Sequence, residues 1–413
     1  MQARLKESLD GSPEDLSNKA CLKLLTGTLE IINLDMKIPF NKPPYIPLGQ
    51  EEISQAILSG NVSGRGPYTK KCEEWFREKN PTLSGVLLAT SCTHALEASA
   101  ILLNLSEQDE VIVPSYTFVS SALAFYLHGA QIRFCDISAD TLNIDEKLIE
   151  KLITPRTKAI VVVHYAGISC EMDKIMELAR KHNLVVIEDN AHGLFGKYKG
   201  VNLGTIGDLS TASFHGTKNI SCGEGGALFI NNKNYQQRAE IIFEKGTNRS
   251  QFINGQIDKY SWVDKGSSYI LSDILAALLF AQLQHSAEIQ DKRKILWNNY
   301  FSSLQTWAQN NGVVLASVPD YCDQTYHMFY MIMPDQATRN DFIRNLKDND
   351  ISAVFHYLPL DLSEMGKKIQ LTDQAPCPNS AFISERIVRL PLFFDLSLTE
   401  QSKIIETIKS YNV

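Results

Sequence analysis

Long apolar runs are missing from this chain of 413 residues. The longest, near Ile270–Leu283, is broken by Ser272, Asp273 and Gln282. It falls short of the ~20 residues a membrane-spanning helix needs and reads as a buried helix instead. No basic segment leads into an apolar core near the amino terminus, so no secretory signal is expected. Strong charge of either sign is also absent: the formal net charge of −7 gives no general nucleic-acid or membrane surface, although a local pocket for a phosphorylated ligand remains compatible with it. The eight cysteines are scattered from Cys21 to Cys377 with no CxxC pair and no metal-ligand spacing. That usage points to reduced thiols in the cytoplasm and to no metal centre. Internal repeats and low-complexity tracts are absent.

What is present is a chain too long for one ordinary core, which divides most simply into a larger and a smaller domain. Residues 1–36 read as an N-terminal extension, with a possible short helix over Leu22–Ile32. Ile38–Pro47, rich in proline and aromatics, reads as an extended arm. A larger domain is expected over 37–285 and a smaller α+β domain over 286–413. In the larger one, apolar strand-like runs alternate with helical segments: Gly85–Ala89, Asp109–Pro114, Gln131–Asp136, Ala159–His164, Leu184–Ile187 and Ala227–Ile230. Such alternation predicts a mostly parallel sheet covered by helices. Ligands of such sheets sit beyond the carboxyl ends of the strands. A long polar and aromatic stretch, Gly246–Ser268, is expected to serve function or to cover another subunit. A helical region follows from Ser272 to about Tyr300.

The stretch Ser213–Gly226, SFHGTKNISCGEGG, carries one lysine, Lys218, among hydroxyls and glycines. About thirty residues earlier a strand ends in Asp189. Taken singly, each has an ordinary reading as a solvated loop lysine or a capping aspartate. Together they suit pyridoxal phosphate, which needs an amine for a Schiff base, a carboxylate for its ring nitrogen, and hydroxyls and amides for its phosphate. The turn Thr90–Thr93 before a helix offers such amides. Phe118 follows another strand end, where an aromatic can stack on a planar ring. Cys92, Phe118, His164, Asp189 and Lys218 all fall at or just past strand ends, which raises the cofactor reading above the ordinary one.

In order and spacing, SCT (91–93), PSYTF (114–118), EDNAHG (188–193), SFHGTK (213–218), GEGG (223–226), AAxxxAQL (276–283) and HYLPL (356–360) resemble the DegT/DnrJ/StrS family of sugar-nucleotide aminotransferases. The resemblance runs from about Lys37 onward. It implies a type I aminotransferase fold, with a mostly parallel, mixed seven-stranded sheet in the large domain, and a homodimer with shared active sites. Lys218 would be the Schiff-base lysine and Asp189 the partner of the ring nitrogen. His192 would approach the ring hydroxyl, and Phe118 would stack on the ring. Ser213 and the amides of Cys92 and Thr93 would bind the phosphate, together with Ser268 from the neighbouring subunit. His356 and Arg249 would meet the nucleotide sugar. The stretches FNKPP, VVHYAG and EKGTNRSQF are similar to the branch that moves nitrogen from L-glutamate to C4 of a dTDP-4-keto-6-deoxyhexose. Amination at C3, a UDP-linked sugar, or a cofactor-binding relative that does not transaminate are the alternatives. Dehydratase relatives carry histidine in place of the lysine, and Lys218 speaks against that branch.

Overall fold

Five-residue apolar runs cannot bury both faces alone, and here they assemble into one sheet with helices on each side. The computed structural model describes residues 21–23, 30–32, 37–44 and 48–413. Its central sheet has seven strands: β1 (Gly85–Ala89), β2 (Glu110–Pro114), β3 (Gln131–Cys135), β4 (Thr157–Val163), β5 (Val185–Asp189), β6 (Leu209–Ser213) and β7 (Gly226–Ile230). Their spatial order is β1-β7-β6-β5-β4-β2-β3. All run parallel except β7, which is antiparallel to both of its neighbours. The mostly parallel order is what the alternation of strands and helices predicts, and the mixed seven-stranded sheet is what the family resemblance implies.

Register places the chemistry. Ala89, Gly226 and Ser213 lie side by side across β1, β7 and β6. Asp189, at the end of β5, lies between Thr211 of β6 and Val163 of β4. The ends of four strands and the start of the antiparallel one therefore share one edge of the sheet.

A second sheet, β8 (Val314–Leu315), β9 (Phe329–Ile332) and β10 (Ile387–Leu390), is antiparallel with β9 in the middle. Its core includes Phe329, Met331, Phe342 and Ile404, and it also takes in Ile38, Tyr116 and Tyr165 from earlier in the chain. Residues at the strand ends of the large sheet are thus packed against the C-terminal part of the chain.

Several local expectations change. Where described, the Leu22–Ile32 region forms an antiparallel pair, Cys21–Lys23 with Glu30–Ile32, in place of a helix; residues 24–29 lie outside the described residues. The remainder of the 1–36 extension and residues 45–47 of the arm lie there too. The helical region from Ser272 is two helices, Asp273–Gln284 and Ser286–Asn310, interrupted at His285. The stretch 246–268 contains a short helix, Arg249–Ile253.

Candidate active site

The connection from β6 to β7 carries Lys218. It folds back on itself because Phe214 N–H donates to Gly225 O at 2.8 Å and Gly216 N–H to Gly223 O at 2.9 Å. Lys218 N–H closes a turn onto His215 O at 2.9 Å. Next to it, Asn219 is buried and donates through Nδ2 to Gln290 Oε1 and Thr325 O, both at 2.8 Å. The lysine backbone is therefore clamped on one side by its own loop and on the other by the C-terminal part of the chain. Its side chain lines a cavity of about 740 Å³. Burial there pushes the Lys218 amine down to about 8; nearby Cys92 and Asp189 act in the opposite sense, and the Arg389 guanidinium adds to the lowering.

Asp189 lines the same cavity and is 5 % exposed. Ser121 Oγ donates to its Oδ2 at 2.6 Å and Ala191 N–H to its Oδ1 at 3.2 Å, so the carboxylate is held at both oxygens. Behind it, Glu188 points to the other face of the sheet. There it accepts from the amides of Gly204, Ile206 and Gly207 and from His164 Nε2, the last at 2.9 Å. His164 Nδ1 accepts from Cys170 N–H at 3.2 Å, which leaves the ring proton on Nε2. That buried network sets the end of β5 and leaves His164 behind the cavity wall.

The helix Cys92–Leu102 begins at the end of β1 with Ser91 as its cap, whose Oγ accepts from His94 N–H at 3.1 Å. The first amides, of Cys92 and Thr93, have no acceptor within the helix, and both residues line the cavity. Gly226 packs so closely on this turn that a Cβ there would lie 2.4 Å from Cys92 N. Burial pushes the Cys92 thiol up, and Asp189 adds to this; its Sγ donates to Thr211 Oγ1 at 3.4 Å. It is a packing group rather than a nucleophile. Ser213 ends β6 in the same cavity. Phe118, 56 % exposed, also lines the cavity, its ring 6.1 Å from that of Tyr357.

His192 stacks on His327 with ring centroids 4.3 Å apart. Burial lowers both well below the ordinary histidine range, so both are neutral at pH 7. His327 Nδ1 pairs with Asn219 Oδ1 at 2.9 Å, and His192 Nδ1 is buried with no partner. His356 is buried beside Tyr165, whose hydroxyl lies 2.5 Å from its Nδ1. Burial pushes His356 down and Tyr165 up, so the hydroxyl donates and the imidazole keeps its proton on Nε2.

Lys218, Cys92, Thr93, Phe118, Asp189, His192, Ser213 and His356 thus share one cavity. Two expected residues do not. Ser268 is exposed and bridges to Glu244 by its backbone. Arg249 is exposed, with Nη1 3.9 Å from Glu244 Oε2. Both belong to the 245–268 segment, outside the cavity of their own chain. Sequence reading missed Ser121, Asn219, His327 and Arg389. Ser121 lies three residues beyond the PSYTF motif, and Arg389 precedes Leu390-Pro391 in a strand whose other residues are apolar.

Comparison with known proteins places these motifs in context. The chain is 33 % identical over 380 residues to an uncharacterized protein of Methanocaldococcus jannaschii, covering 89 % of this chain and 96 % of that one. It is 30 % identical over 380 residues to the spore coat polysaccharide biosynthesis protein SpsC of Bacillus subtilis, covering 90 % and 96 %. Among solved structures, the PLP form of Spr1654 from Streptococcus pneumoniae superposes with a TM-score of 0.82 at 27 % identity, over 91 % of this chain and 98 % of that one. The aminotransferase TlmJ of Streptoalloteichus hindustanus gives 0.82 at 26 %, over 91 % and 98 %. The model of the DegT/DnrJ/EryC1/StrS aminotransferases matches residues 48–409, and the chain belongs to that family.

Proposed function

We propose that this protein is a pyridoxal 5′-phosphate-dependent sugar-nucleotide aminotransferase. In this reading it acts in the cytoplasm and moves the amino group of L-glutamate to C4 of a dTDP-4-keto-6-deoxyhexose, giving dTDP-4-amino-4,6-dideoxy-D-galactose for cell-surface polysaccharide synthesis. One observation carries the reading: an amine lowered to about 8, a carboxylate held at both oxygens and a helix start with free amides open into one cavity. The unpartnered Nδ1 of buried His192 and the close approach at Gly226 fit a planar, phosphorylated guest. When bound, pyridoxal 5′-phosphate supplies the electron sink that stabilises a carbanion at the donor carbon.

The chain's own residues do the rest. Lys218 would hold the cofactor between turnovers, and its Nζ, which burial brings down to about 8, would take the proton from the donor Cα and return one in the second half of the reaction. Asp189 keeps a positive charge on the ring nitrogen, and Ser121 fixes the carboxylate for that task. His192 would face the ring hydroxyl of the cofactor and Phe118 would cover its ring. Ser213 and the amides of Cys92 and Thr93 hold the phosphate. Ser268 reaches the phosphate bound by a second copy, and Arg249 and His356 serve the nucleotide sugar. This arrangement calls for a homodimer, and the exposed apolar side chains of Phe252, Ile253, Tyr260 and Trp262 beside those residues support it.

Incubating the holoenzyme with L-glutamate and dTDP-4-keto-6-deoxyglucose, and locating the new nitrogen by NMR, tests the reading. An amine at C4 with the galacto configuration is expected. An amine at C3, or turnover of a UDP sugar alone, replaces the substrate assignment. A Lys218→Ala protein that still turns over would sink the mechanism.

A further inference from the structure

A second cavity, of about 340 Å³, shares no lining residue with the first. Its size is that of a small-molecule pocket, ~300–1,000 Å³. Its walls are aromatic and fixed. The Trp75 ring meets that of Phe76 edge-on at 5.2 Å and that of Phe195 at 6.1 Å, and Phe76 in turn packs 5.1 Å from Phe229 of β7. Phe195 holds its place against backbone strain: its φ is +77°, a left-handed conformation that a bulky side chain rarely adopts. The turn there, closed by Gly196 N–H donating to Gly193 O at 2.8 Å, has glycines at 193 and 196 yet carries an aromatic at the strained position. The rim is cationic. Lys79 and Lys197 line the cavity, both exposed, and among the described residues no acid does. Neither lysine joins an ion pair among those residues. Asp323 lies opposite Lys197 on the neighbouring strand without pairing to it, and Lys79 Nζ sits 5.8 Å from the centre of the Trp75 ring. In a chain with 47 acids against 40 lysines and arginines, an opening with two such lysines and no carboxylate is a place where anions gather.

We infer that this cavity is an effector site for a small planar ring bearing an anionic group, and that its occupant steadies the lysine loop of the active site. Aromatic walls favour a flat ring through edge and face contacts. The ammonium groups at the mouth take its carboxylate or phosphate. Two links lead from here to the active site. Gln290, on the helix Ser286–Asn310, lines the second cavity; its Oε1 accepts from Asn219 Nδ2 at 2.8 Å and its Nε2 donates to Thr325 O at 3.3 Å. Asn219 follows Lys218, and Thr325 Oγ1 donates to His192 O at 2.7 Å. The other link is the chain itself: Leu194 and Phe195 line the second cavity directly after His192 and Gly193, and His192 lines the first. A ligand that fixes Gln290 and Phe195 therefore holds Asn219 and His192 from behind. Linkage makes the effect mutual, so a bound cofactor raises the affinity of the second cavity by the same factor as its ligand raises that for the cofactor.

Calorimetry with 1-naphthoate, 1-naphthyl phosphate and the neutral ring 1-naphthol tests the site on holoenzyme and on cofactor-free protein. It needs no turnover, so its outcome is independent of which sugar the enzyme aminates. The holoenzyme is expected to bind at least one of the two anions with a Kd below about 1 mM, and the tighter of the two identifies the anionic group. Neutral 1-naphthol should bind about tenfold more weakly or less well still. In the double variant Lys79→Gln, Lys197→Gln the exposed side chains leave the fold and the cofactor absorbance unchanged, while the affinity for the anion falls about tenfold. Cofactor-free wild type should bind the anion about fivefold more weakly than the holoenzyme. Four results overturn the inference: no binding of either anion at about 1 mM, undiminished binding by the double variant, 1-naphthol as tight as the anions, or cofactor-free protein binding as tightly as holoenzyme or more so.

Discussion

At the scale of single residues, the site works by suppressing charge. Lys218 in the folded chain titrates near 8, against ~10.4 for a free lysine. Cofactor-free protein must therefore bury an ammonium or release a proton whenever the pH is below that of the unfolded amine. The unfolded state binds more protons between about 8 and ~10.4, so stability rises with pH across that window, and the penalty is complete below it. Cofactor-free Lys218→Met is accordingly expected to melt at a higher temperature than the wild type at pH 7, with the gap closing toward pH 10.5. Equal gaps at both pH values would contradict this. His192 and His327 behave with the same sign in the acid range. Burial holds both below their unfolded value, so stability is lost as pH falls below ~6.5. His327→Gln should flatten the acid limb of a denaturation profile without moving the alkaline one.

At the scale of elements, helix starts and strand ends carry the function, and two of them can be tested directly. Gly226 cannot accept a Cβ without displacing the Ser91–Cys92 backbone. Gly226→Ala is expected to destabilise the fold by about 1–3 kcal/mol and to weaken cofactor binding tenfold or more, measured by titration of the apoprotein. Asp273 is fully buried and accepts from the amides of Tyr68 and Thr69 at 3.1 and 2.8 Å. It thereby caps the helix Pro67–Lys79 while beginning its own. Asp273→Asn should cost about 2 kcal/mol in urea unfolding, with no change in donor KM.

The elements themselves were largely legible in the amino-acid sequence. Six of the seven strands lie in apolar runs that stand out in the sequence, whereas β6, Leu-Ser-Thr-Ala-Ser, is too polar to do so; the residues at the strand ends follow from the sheet rule. Lys218 and Asp189 could be paired because both sit past strand ends. His327 and Arg389 escaped notice for a physical reason: they come from the C-terminal part of the chain, where no periodicity tells which strand faces the cavity. A lone arginine in Ile-Val-Arg-Leu reads as the solvent face of an edge strand until packing turns it inward. The break at His285 was hidden because His285, unlike glycine or proline, does not mark the end of a helix.

For the whole molecule, the 245–268 segment decides whether one chain suffices. Its exposed aromatic residues, Ser268 and Arg249 have no role in the cavity of their own subunit. In the proposed homodimer, Ser268→Asp should fold normally, since the side chain is exposed, yet weaken cofactor binding by the added negative charge. Mixing inactive Lys218→Ala with Ser268→Asp under conditions that exchange subunits should restore activity, because one site in each hybrid then has both residues intact. Absence of recovery in proven hybrids would confine each site to one chain.

The antiparallel strand β7 has a consequence for the order in which the protein is made. Strand β1 pairs with β7, and its Ala89 bridges to Ile270, so the turn that follows β1 has no edge to lean on until residues 226–230 have left the ribosome. By then Asp189 and Lys218 have already been synthesised. The cofactor site is therefore a late product of translation, closed by a contact between distant parts of the chain, and such contacts are slow to form. A nascent chain stalled before β7 should hold no cofactor, while one released just beyond it has every strand of the binding edge at hand.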